Sequence, residues 1–554
     1  MKSLAIQLIK NFTRENSIFY IHIFMTILIA ILRVIVSSFI YREFLDTNIK
    51  NKFPVIIKHI CYLWIFLFIS YIIIAKTDAI LVTDISMYVR REIIKNYLKT
   101  NEIFFSEKDV EKDKVKMLDF GFLSDKILMW ITDVIIPNLV LIVLIGTFIF
   151  YKSPIVGSIN LICNIFIFFL TKHYFSKIIN IINKRHYTYD KLSTNIGENL
   201  SNLMNIHLND KIDYTLNKTS TLLDDFRQIV SEMKKICSDF IIYIRSIFYS
   251  FTFLSIIATY KLFSIKDFFQ IFTIFTLYIP FFENFIDQFT IKMFYLADYI
   301  SLGDYFVNTK KVLTDENGNL IDHKQTIYNI SIDNSICKGI ISFENITFHY
   351  NNNDDNKEEE KNVINNFNLK INSGERLGII AKSGSGKTTL MKLLLGFYHP
   401  QKGSIILDGI NIKNIHPKLL RKKINYINQN TLLINDTIIN NIKFGNDKIR
   451  DEDIINIMKK YNLIGVFKDQ NLNKLVEVNG KNISMGMQKI IFILRGILKD
   501  SCVYIFDEPL TSLDENSRKS VIKMIDENTR NKTLIVITHD KEILRILNRT
   551  IELL

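Results

Sequence analysis

Cysteine is scarce and scattered. Five residues (Cys61, Cys163, Cys237, Cys337 and Cys502) stand far apart in 554, with an odd total and no CxxC pair. That spacing argues against a disulfide framework or a zinc site, and it suits soluble parts that face a reducing compartment. Seven prolines and 19 glycines exclude collagen-like and proline-rich scaffolds. No cleavable leader is read at the N-terminus: the first apolar run is too long, contains Arg33 and lacks a small-residue cleavage site. A transit peptide is not read either, since Glu15 comes early and the stretch is not rich in Arg or Ser.

What is present in quantity is apolar surface. Hydrophobic residues make up 48% and aromatics 12%, and the mean hydropathy is +0.15. Such a composition excludes disorder as the dominant state. A chain of this length implies two or three units, and an average above zero fits one part in lipid and another in water. The net charge of +13 has two readings, a nucleic-acid-binding surface or basic loops beside membrane spans. Its distribution along the chain favours the second.

Six apolar runs of spanning length occupy the first 300 residues: Ser17–Tyr41, Ile57–Ala75, Trp130–Tyr151, Pro154–Tyr174, Phe240–Phe263 and Phe268–Phe289. Two long polar helical stretches separate them, Lys76–Leu128 and Ser176–Ser238. They carry Arg90, Arg91, Lys95, Lys99, Lys184, Arg185, Lys234 and Lys235, which places both stretches and both termini on the cytosolic side. Arg33, Arg245, Glu283 and Asp287 fall within spans, are costly in lipid, and are expected to face the interior or pair there. The sequence predicts a helical membrane domain over residues 1–307, a linker over 308–338 and a second domain over 339–554. In that second domain short β-branched runs (Ile341–Phe343, Arg376–Ile380, Val503–Phe506 and Thr533–Ile537) alternate with helical stretches, an α/β pattern. Asn351–Lys361 reads as a charged insert in a turn.

The chemistry concentrates in the second domain. Lys382-Ser383-Gly384-Ser385-Gly386-Lys387-Thr388-Thr389 follows the apolar strand Leu377–Ile380 and precedes the helix Leu390–Leu395. Strand, glycine-rich loop and helix in that order form a phosphate cradle. Lys387 reaches the β- and γ-phosphates, and the Thr388 hydroxyl is a ligand for Mg²⁺. The full pattern has glycine at 381, where this chain has Ala381. Cys502–Phe506 is a strand ending in Asp507-Glu508, one acid for Mg²⁺ and one to polarise an attacking water. His539 ends the strand that begins at Leu534; Gln429 follows Ile424–Ile427; Tyr350 ends Ile346–Tyr350.

Taken in this order, these residues resemble the nucleotide-binding domain of ATP-binding-cassette (ABC) transporters. With six preceding spans the whole chain resembles an exporter-type half-transporter. The resemblance implies an all-α six-helix transmembrane domain followed by an α/β P-loop NTPase, with ATP and Mg²⁺ as cofactors. It makes Tyr350 the adenine-stacking aromatic, Ala381–Thr388 the Walker A, Gln429 the Q-loop, Asp507 the Walker B acid, Glu508 the catalytic carboxylate, Asp514 the D-loop and His539 the switch histidine.

The signature departs from the family. LSGGQ aligns on Ile483-Ser484-Met485-Gly486-Met487, in a register anchored by Gly480 and by Arg495-Gly496-Ile497-Leu498. Ser484 and Gly486 are retained; Met485 puts a Cβ where the family approaches the opposite subunit's ATP with bare backbone. The resemblance implies a partner half-transporter (identical or different), a lipid bilayer, an unidentified transported substrate and no nucleic acid. It also implies ATP-driven alternating access, with the long loops docking near Glu111–Phe120 and Asn205–Asp213. An ATP-gated channel or regulator is the alternative, and intact Glu508 and His539 argue against it. A soluble cassette ATPase acting on DNA or ribosomes is disfavoured by the spans. An organelle exporter linked to iron–sulfur metabolism is one of several substrate classes the fold admits.

Overall fold

The computed structural model describes residues 3–44, 49–103, 110–262, 265–315, 320, 337–350, 362–381, 384–429, 432–446, 448–467, 471–477 and 480–553. The insert 351–361 and most of the linker lie outside these residues. The chain divides into two compact units, Met1–Asn101 with Ser106–Asp322, and Glu102–Phe105 with His323–Leu554.

Among the described residues the first unit is built of helices up to Asn308. Helix α1 (Leu4–Glu15) buries Leu4, Ala5, Leu8 and Phe12 along one face, then meets α2 (Ser17–Phe44) at 92°. Asn16 makes the corner, its side chain accepting from the Ile18 amide at 3.0 Å. Helix α3 (Ile49–Ile103) is followed by α4 (Val110–Met129), which runs through a π-turn at Trp130–Ile135 into α5 (Ile136–Lys152). Ser153 is extended and Pro154 starts α6 (Pro154–Ser201), so the reversal needs a single residue. Gly157 lies so close to Phe150 that a Cβ would sit 2.5 Å from the Phe150 Cα. Short α7 (Leu203–Leu208) leads to α8 (Ile212–Leu262) and α9 (Ile265–Asn308), which contains Pro280.

Helix lengths explain the two long polar stretches. The 48 residues of α6 extend about 72 Å at ~1.5 Å per residue, more than twice the ~30 Å hydrocarbon core. Among the described residues four helical segments are long and apolar enough to span (Ile57–Asn101, Lys112–Lys152, Pro154–Ser201 and Ile212–Leu262), and a fifth counts if the bent α1–α2 pair is one span. The sixth apolar run lies on α9, many of whose side chains fall outside the described set. Of the ionisable residues expected to face inward, Arg245 pairs with Asp287 at 2.8 Å across α8 and α9, and Tyr249 donates to Glu283 beside them. The Arg33 side chain lies outside the described residues.

Two apolar clusters hold the unit. One joins α5, α6, α8 and α9 around Ile178, Phe240, Phe248 and Met293; the other joins α1, α3, α4 and α9 around Ile85, Ile93, Phe120 and Phe306. Beside the second lies a deeply buried carboxylate. Asp113 is 1% exposed and accepts from Tyr97 (2.9 Å), Tyr305 (2.8 Å) and Lys311 (2.7 Å).

The second unit contains strands β1 (Ile341–Phe348), β2 (Ile364–Ile371) and β3 (Arg376–Ala381), helix α10 (Lys387–Leu394), strands β4 (Lys402–Leu407) and β5 (Ile410–Asn411), helix α11 (Pro417–Lys423), strand β6 (Ile424–Ile427) and helices α12 (Ile438–Lys443), α13 (Asp451–Lys460) and α14 (Met485–Ile497). Strand β7 (Val503–Asp507), helix α15 (Glu515–Asn528), strand β8 (Thr533–Ile537), helix α16 (Lys541–Leu544) and strand β9 (Arg549–Leu553) complete it. They form an antiparallel sheet ordered β2-β1-β4-β5 and a parallel sheet ordered β6-β7-β8-β3-β9. Every residue of β7 and β8 is buried, which is why both read as unbroken apolar runs.

The run Ile341–Phe343 and the first part of Ile346–Tyr350 merge into the single strand β1, which stops at Phe348, so Tyr350 follows the strand rather than ending it. Its pairing shifts register between Phe343 and Ile346, where Asn345 takes φ +51°. Gly403 on β4 makes room: a Cβ there would lie 2.2 Å from the Glu344 carbonyl oxygen.

The expectation against disulfide pairing is corrected. Cys337 and Cys502, 165 residues apart, form a disulfide at the start of β1 and β7. The fold brings them together: Thr533 donates to the Gly339 carbonyl (2.8 Å), and its amide donates to the Cys502 carbonyl (3.1 Å). Cys61, Cys163 and Cys237 are free.

Replacing Asp113 by alanine strands the largely buried Lys311 ammonium and two tyrosine hydroxyls. Loss of one partner of a buried pair costs about 3–5 kcal/mol. The expected outcome is a lower thermal unfolding midpoint for the detergent-solubilised chain, with Asp113→Asn milder because it keeps an acceptor.

Candidate nucleotide site

Open parallel sheets gather their chemistry where the strands end at their carboxyl edge, and four neighbouring strands deliver sequence-predicted residues there. Residues 381–388 follow β3, Gln429 follows β6, Asp507 and Glu508 end β7, and His539 follows β8. Adjacency in the order β6-β7-β8-β3 brings them to one edge. Lys382 and Ser383 lie outside the described residues.

The loop between β3 and α10 is shaped by two left-handed glycines, Gly384 and Gly386, each at φ +84°. Gly386 precedes the first turn of α10, which carries no acid. The Ser385 hydroxyl is buried and has no hydrogen-bond partner among the described residues, and buried polar atoms are usually paired. Lys387 opens α10 and acts electrostatically on Asp507. Thr388 is exposed; Thr389 is buried and lies 2.9 Å from the Tyr350 hydroxyl. Phe348 and Tyr398 pack edge-on against the Tyr350 ring at 5.0 and 5.3 Å. This fixes Tyr350 beside the phosphate loop.

Burial raises the Asp507 carboxyl above its ordinary value; a hydrogen bond from Tyr426 and the charges of Lys387 and Lys489 oppose that rise. The Tyr426 hydroxyl, itself pushed well above the usual tyrosine range by burial, donates to Asp507 Oδ2 at 2.9 Å. Asp507 Oδ1 has no hydrogen bond among the described residues and is available to a cation. The hydroxyl of Thr388, the carboxylate of Asp507 and the exposed amide of Gln429 form an all-oxygen donor set of the kind Mg²⁺ prefers.

Glu508 sits at φ +47°, in the left-handed region, a conformation that persists only where its surroundings fix it. Its amide donates to Ile537 O at 2.8 Å, its carbonyl accepts from Thr511 at 2.9 Å, and its Oε2 accepts from Thr538 at 3.1 Å. The same Thr538 hydroxyl accepts from the Asp540 amide at 3.0 Å, so one side chain ties Glu508 to the turn that displays His539.

The signature segment behaves as an ordinary helix start. Ser484 caps α14 by accepting from the Met487 amide at 3.2 Å. Met487 belongs to the core, whereas Met485 is 71% exposed. At Gly486 a Cβ would lie 3.0 Å from the Ser512 carbonyl oxygen, so the retained glycine permits that close approach. Asp514 caps α15 through the Ser517 amide at 3.1 Å.

Sequence reading missed three residues. Tyr426 and Thr538 were hidden because a tyrosine or threonine at a strand end is unremarkable by itself. Lys489 did leave a signal, a lone charge opening the apolar stretch Ile490–Leu494. It is 5% exposed, and its Nζ donates to the Asp507 carbonyl at 3.3 Å. Burial lowers its ammonium to about 8, with the charges of Asp507 and Glu508 pulling the other way.

Comparison with known proteins bears on both units. Residues 364–511 match the family described as ABC transporter. The cassette is 38% identical over 188 residues to ABC transporter ATM1 of Plasmodium falciparum, covering 34% of this chain and 18% of that protein. It is 34% identical over 203 residues to the mitochondrial iron-sulfur clusters transporter ATM1 of Saccharomyces cerevisiae (36% and 28%). It is 33% identical over 217 residues to the alpha-hemolysin translocation ATP-binding protein HlyB of Escherichia coli O157:H7 (39% and 30%). The matched part thus spans less than a third of each of these relatives. In structure, 96% of the chain superposes on 93% of a bacterial Atm1-family ABC exporter solved with ATP bound, at TM-score 0.79 and 14% identity. Residues 364–511 therefore match the ABC transporter family, and the chain has the fold of the bacterial Atm1-family ABC exporter on which it superposes.

Proposed function

We propose that the chain is half of an ATP-driven membrane exporter: it pairs with a second half-transporter, clasps ATP between two cassettes and couples hydrolysis to alternating access. The observation that carries this reading is the delivery of the phosphate loop, Asp507, Glu508 and His539 to one edge of one parallel sheet. The domain division is proposed as read from the sequence: spans over 1–307, a linker over 308–338 and the cassette over 339–554.

In this reading Gly384, Ser385, Gly386, Lys387 and Thr389 cradle the phosphates together with Lys382 and Ser383, and Tyr350 faces the adenine. Mg²⁺, held by Thr388, Asp507 and Gln429, supplies charge neutralisation between phosphate oxygens. Glu508 polarises the attacking water, its carboxylate aimed by Thr538; His539 contacts the γ-phosphate; Ser484, Gly486 and Asp514 face the partner's site. The cassette is assigned to the cytosol or a matrix-type compartment on the charge of the long loops; with Cys337 and Cys502 bridged, the cysteines no longer argue that this compartment is reducing. Exposed Leu203, Met204 and Leu208 on α7 fall in and beside the 205–213 segment proposed to dock on a cassette. The substrate class stays open: relatives include an iron–sulfur clusters transporter, a haemolysin translocator and a mitochondrial potassium channel ATP-binding subunit.

The exposed Met485 side chain favours a refinement, in which this chain is the signature-degenerate half of a heterodimer. Met485 occupies the first turn of α14, where the partner's γ-phosphate would approach.

Three outcomes are expected. Glu508→Gln in proteoliposomes abolishes substrate-stimulated, vanadate-sensitive ATPase, by about 10²–10⁴-fold for a lost general base, while ATP is still retained; undiminished turnover refutes the assignment. Tyr426→Phe raises the Mg²⁺ concentration for half-maximal ATPase by about 10–100-fold, the usual effect of losing an outer-shell partner; an unchanged Mg²⁺ titration removes Tyr426 from the metal's surroundings. Met485→Gly raises the ATPase of the homodimer if the chain pairs with itself, whereas stoichiometric co-purification with a different half-transporter supports the heterodimer.

A further inference from the structure

A second polar constellation lies in the first unit, far in sequence from the nucleotide motifs. His22 on α2, Asp78 on α3 and Asp133 in the π-turn at Trp130–Ile135 converge so that one ligand atom from each lies within 4.8 Å of the others. His22 is 1% exposed. Its Nδ1 is 2.8 Å from Thr77 Oγ1, and that hydroxyl lies 3.0 Å from both the Ile73 and Ile74 carbonyl oxygens. The single Thr77 proton is engaged by those carbonyls, so the hydroxyl accepts from Nδ1–H. The ring is thereby held in the tautomer whose Nε2 carries a lone pair.

That lone pair points at an acceptor, because Nε2 is 3.3 Å from Asp133 Oδ1. Asp78 makes no hydrogen bond and no ion pair among the described residues, and no lysine or arginine pairs with either carboxylate there. Asp133 is 38% exposed, and its Oδ1 lies 3.0 Å from the Thr132 hydroxyl, whose one proton also faces the Leu128 and Met129 carbonyls at 3.1 and 3.3 Å. Two carboxylates and a nitrogen lone pair therefore face one another with that one shared hydroxyl donor and no cationic side chain among the described residues. A proton on Nε2 would satisfy Asp133 and leave Asp78 unpaired. A doubly charged ion satisfies all three at once.

We propose that His22, Asp78 and Asp133 bind one divalent transition-metal cation of the Zn²⁺ type. One imidazole and two carboxylates form a mixed nitrogen–oxygen set suited to Zn²⁺ rather than to the all-oxygen preference of Mg²⁺ or Ca²⁺. Bonds of about 2.0–2.2 Å to such an ion need only small rotations of the three side chains. Thr77 supplies the outer hydrogen bond that fixes a ligating histidine, and three protein ligands leave a position for water. The ion would fasten α2, just beyond the corner at Asn16, to α3 and to the π-turn before α5.

The test uses the full-length chain in detergent micelles, stripped with EDTA, free of nucleotide and carrying Cys61→Ser to remove the exposed thiol. Calorimetric titration with Zn²⁺ alone is expected to show one equivalent bound per chain and a higher thermal midpoint. His22→Gln and Asp78→Asn should each weaken binding at least tenfold and abolish the thermal shift. Asp78→Asn removes no hydrogen bond from the metal-free chain, so it keeps the test decisive if His22→Gln fails to fold. Substituted Co²⁺ should give a ligand-field spectrum that Asp78→Asn alters. The proposal is overturned if the parent chain takes up no stoichiometric Zn²⁺, as a proton-sharing cluster would behave, or if Asp78→Asn binds like the parent.

Discussion

The cassette depends on a single backbone hydrogen bond at the end of its central strands, from the Glu508 amide to the Ile537 carbonyl. It extends the β7–β8 pairing one residue past the last buried pair, Asp507 opposite Ile537, and carries the chain from apolar sheet to polar edge. Glu508 adopts a left-handed backbone there, and strain of that kind survives only when neighbouring contacts over-determine it. The Thr511 and Thr538 hydroxyls complete that set of contacts. In its proposed role on water the carboxylate has to be held without being neutralised, and hydroxyl donors achieve this where a lysine would not.

Much of this organisation was legible in the sequence because buried parallel strands and phosphate loops leave strong local signals. The runs Val503–Phe506 and Thr533–Ile537 are apolar since both faces of those strands are covered, and the glycines of the loop mark backbone that other residues cannot adopt. What stayed hidden depends on pairing at long range. The Cys337–Cys502 bridge joins residues 165 apart, and no spacing rule announces it. The single strand β1 was read as two because an irregularity at Asn345 breaks its alternation. Tyr426 and Thr538 acquire their roles only through neighbours on adjacent strands.

In the helical unit the sequence conveyed amphipathic and apolar lengths but not how charge would be managed. Ionisable residues in apolar helices were expected to turn inward or pair, and those described pair while remaining partly exposed: Arg245 with Asp287, and Glu283 with Tyr249. Asp113 is more deeply enclosed and takes three donors from α3, α9 and the segment after it. The His22, Asp78 and Asp133 group differs because acceptors outnumber donors. That imbalance, rather than the residue types alone, sets it apart.

The N-terminal turns of helix α14 carry two features on one rigid object. Its first turn holds Ser484 and Met485, and little more than one turn later Lys489 reaches the Asp507 carbonyl. Any tilt imposed on that first turn therefore displaces an ammonium group lodged behind the Asp507–Glu508 acids. In the proposed dimer that lever makes the electrostatics of one nucleotide site sensitive to events at the other, with no need for a moving loop to relay them.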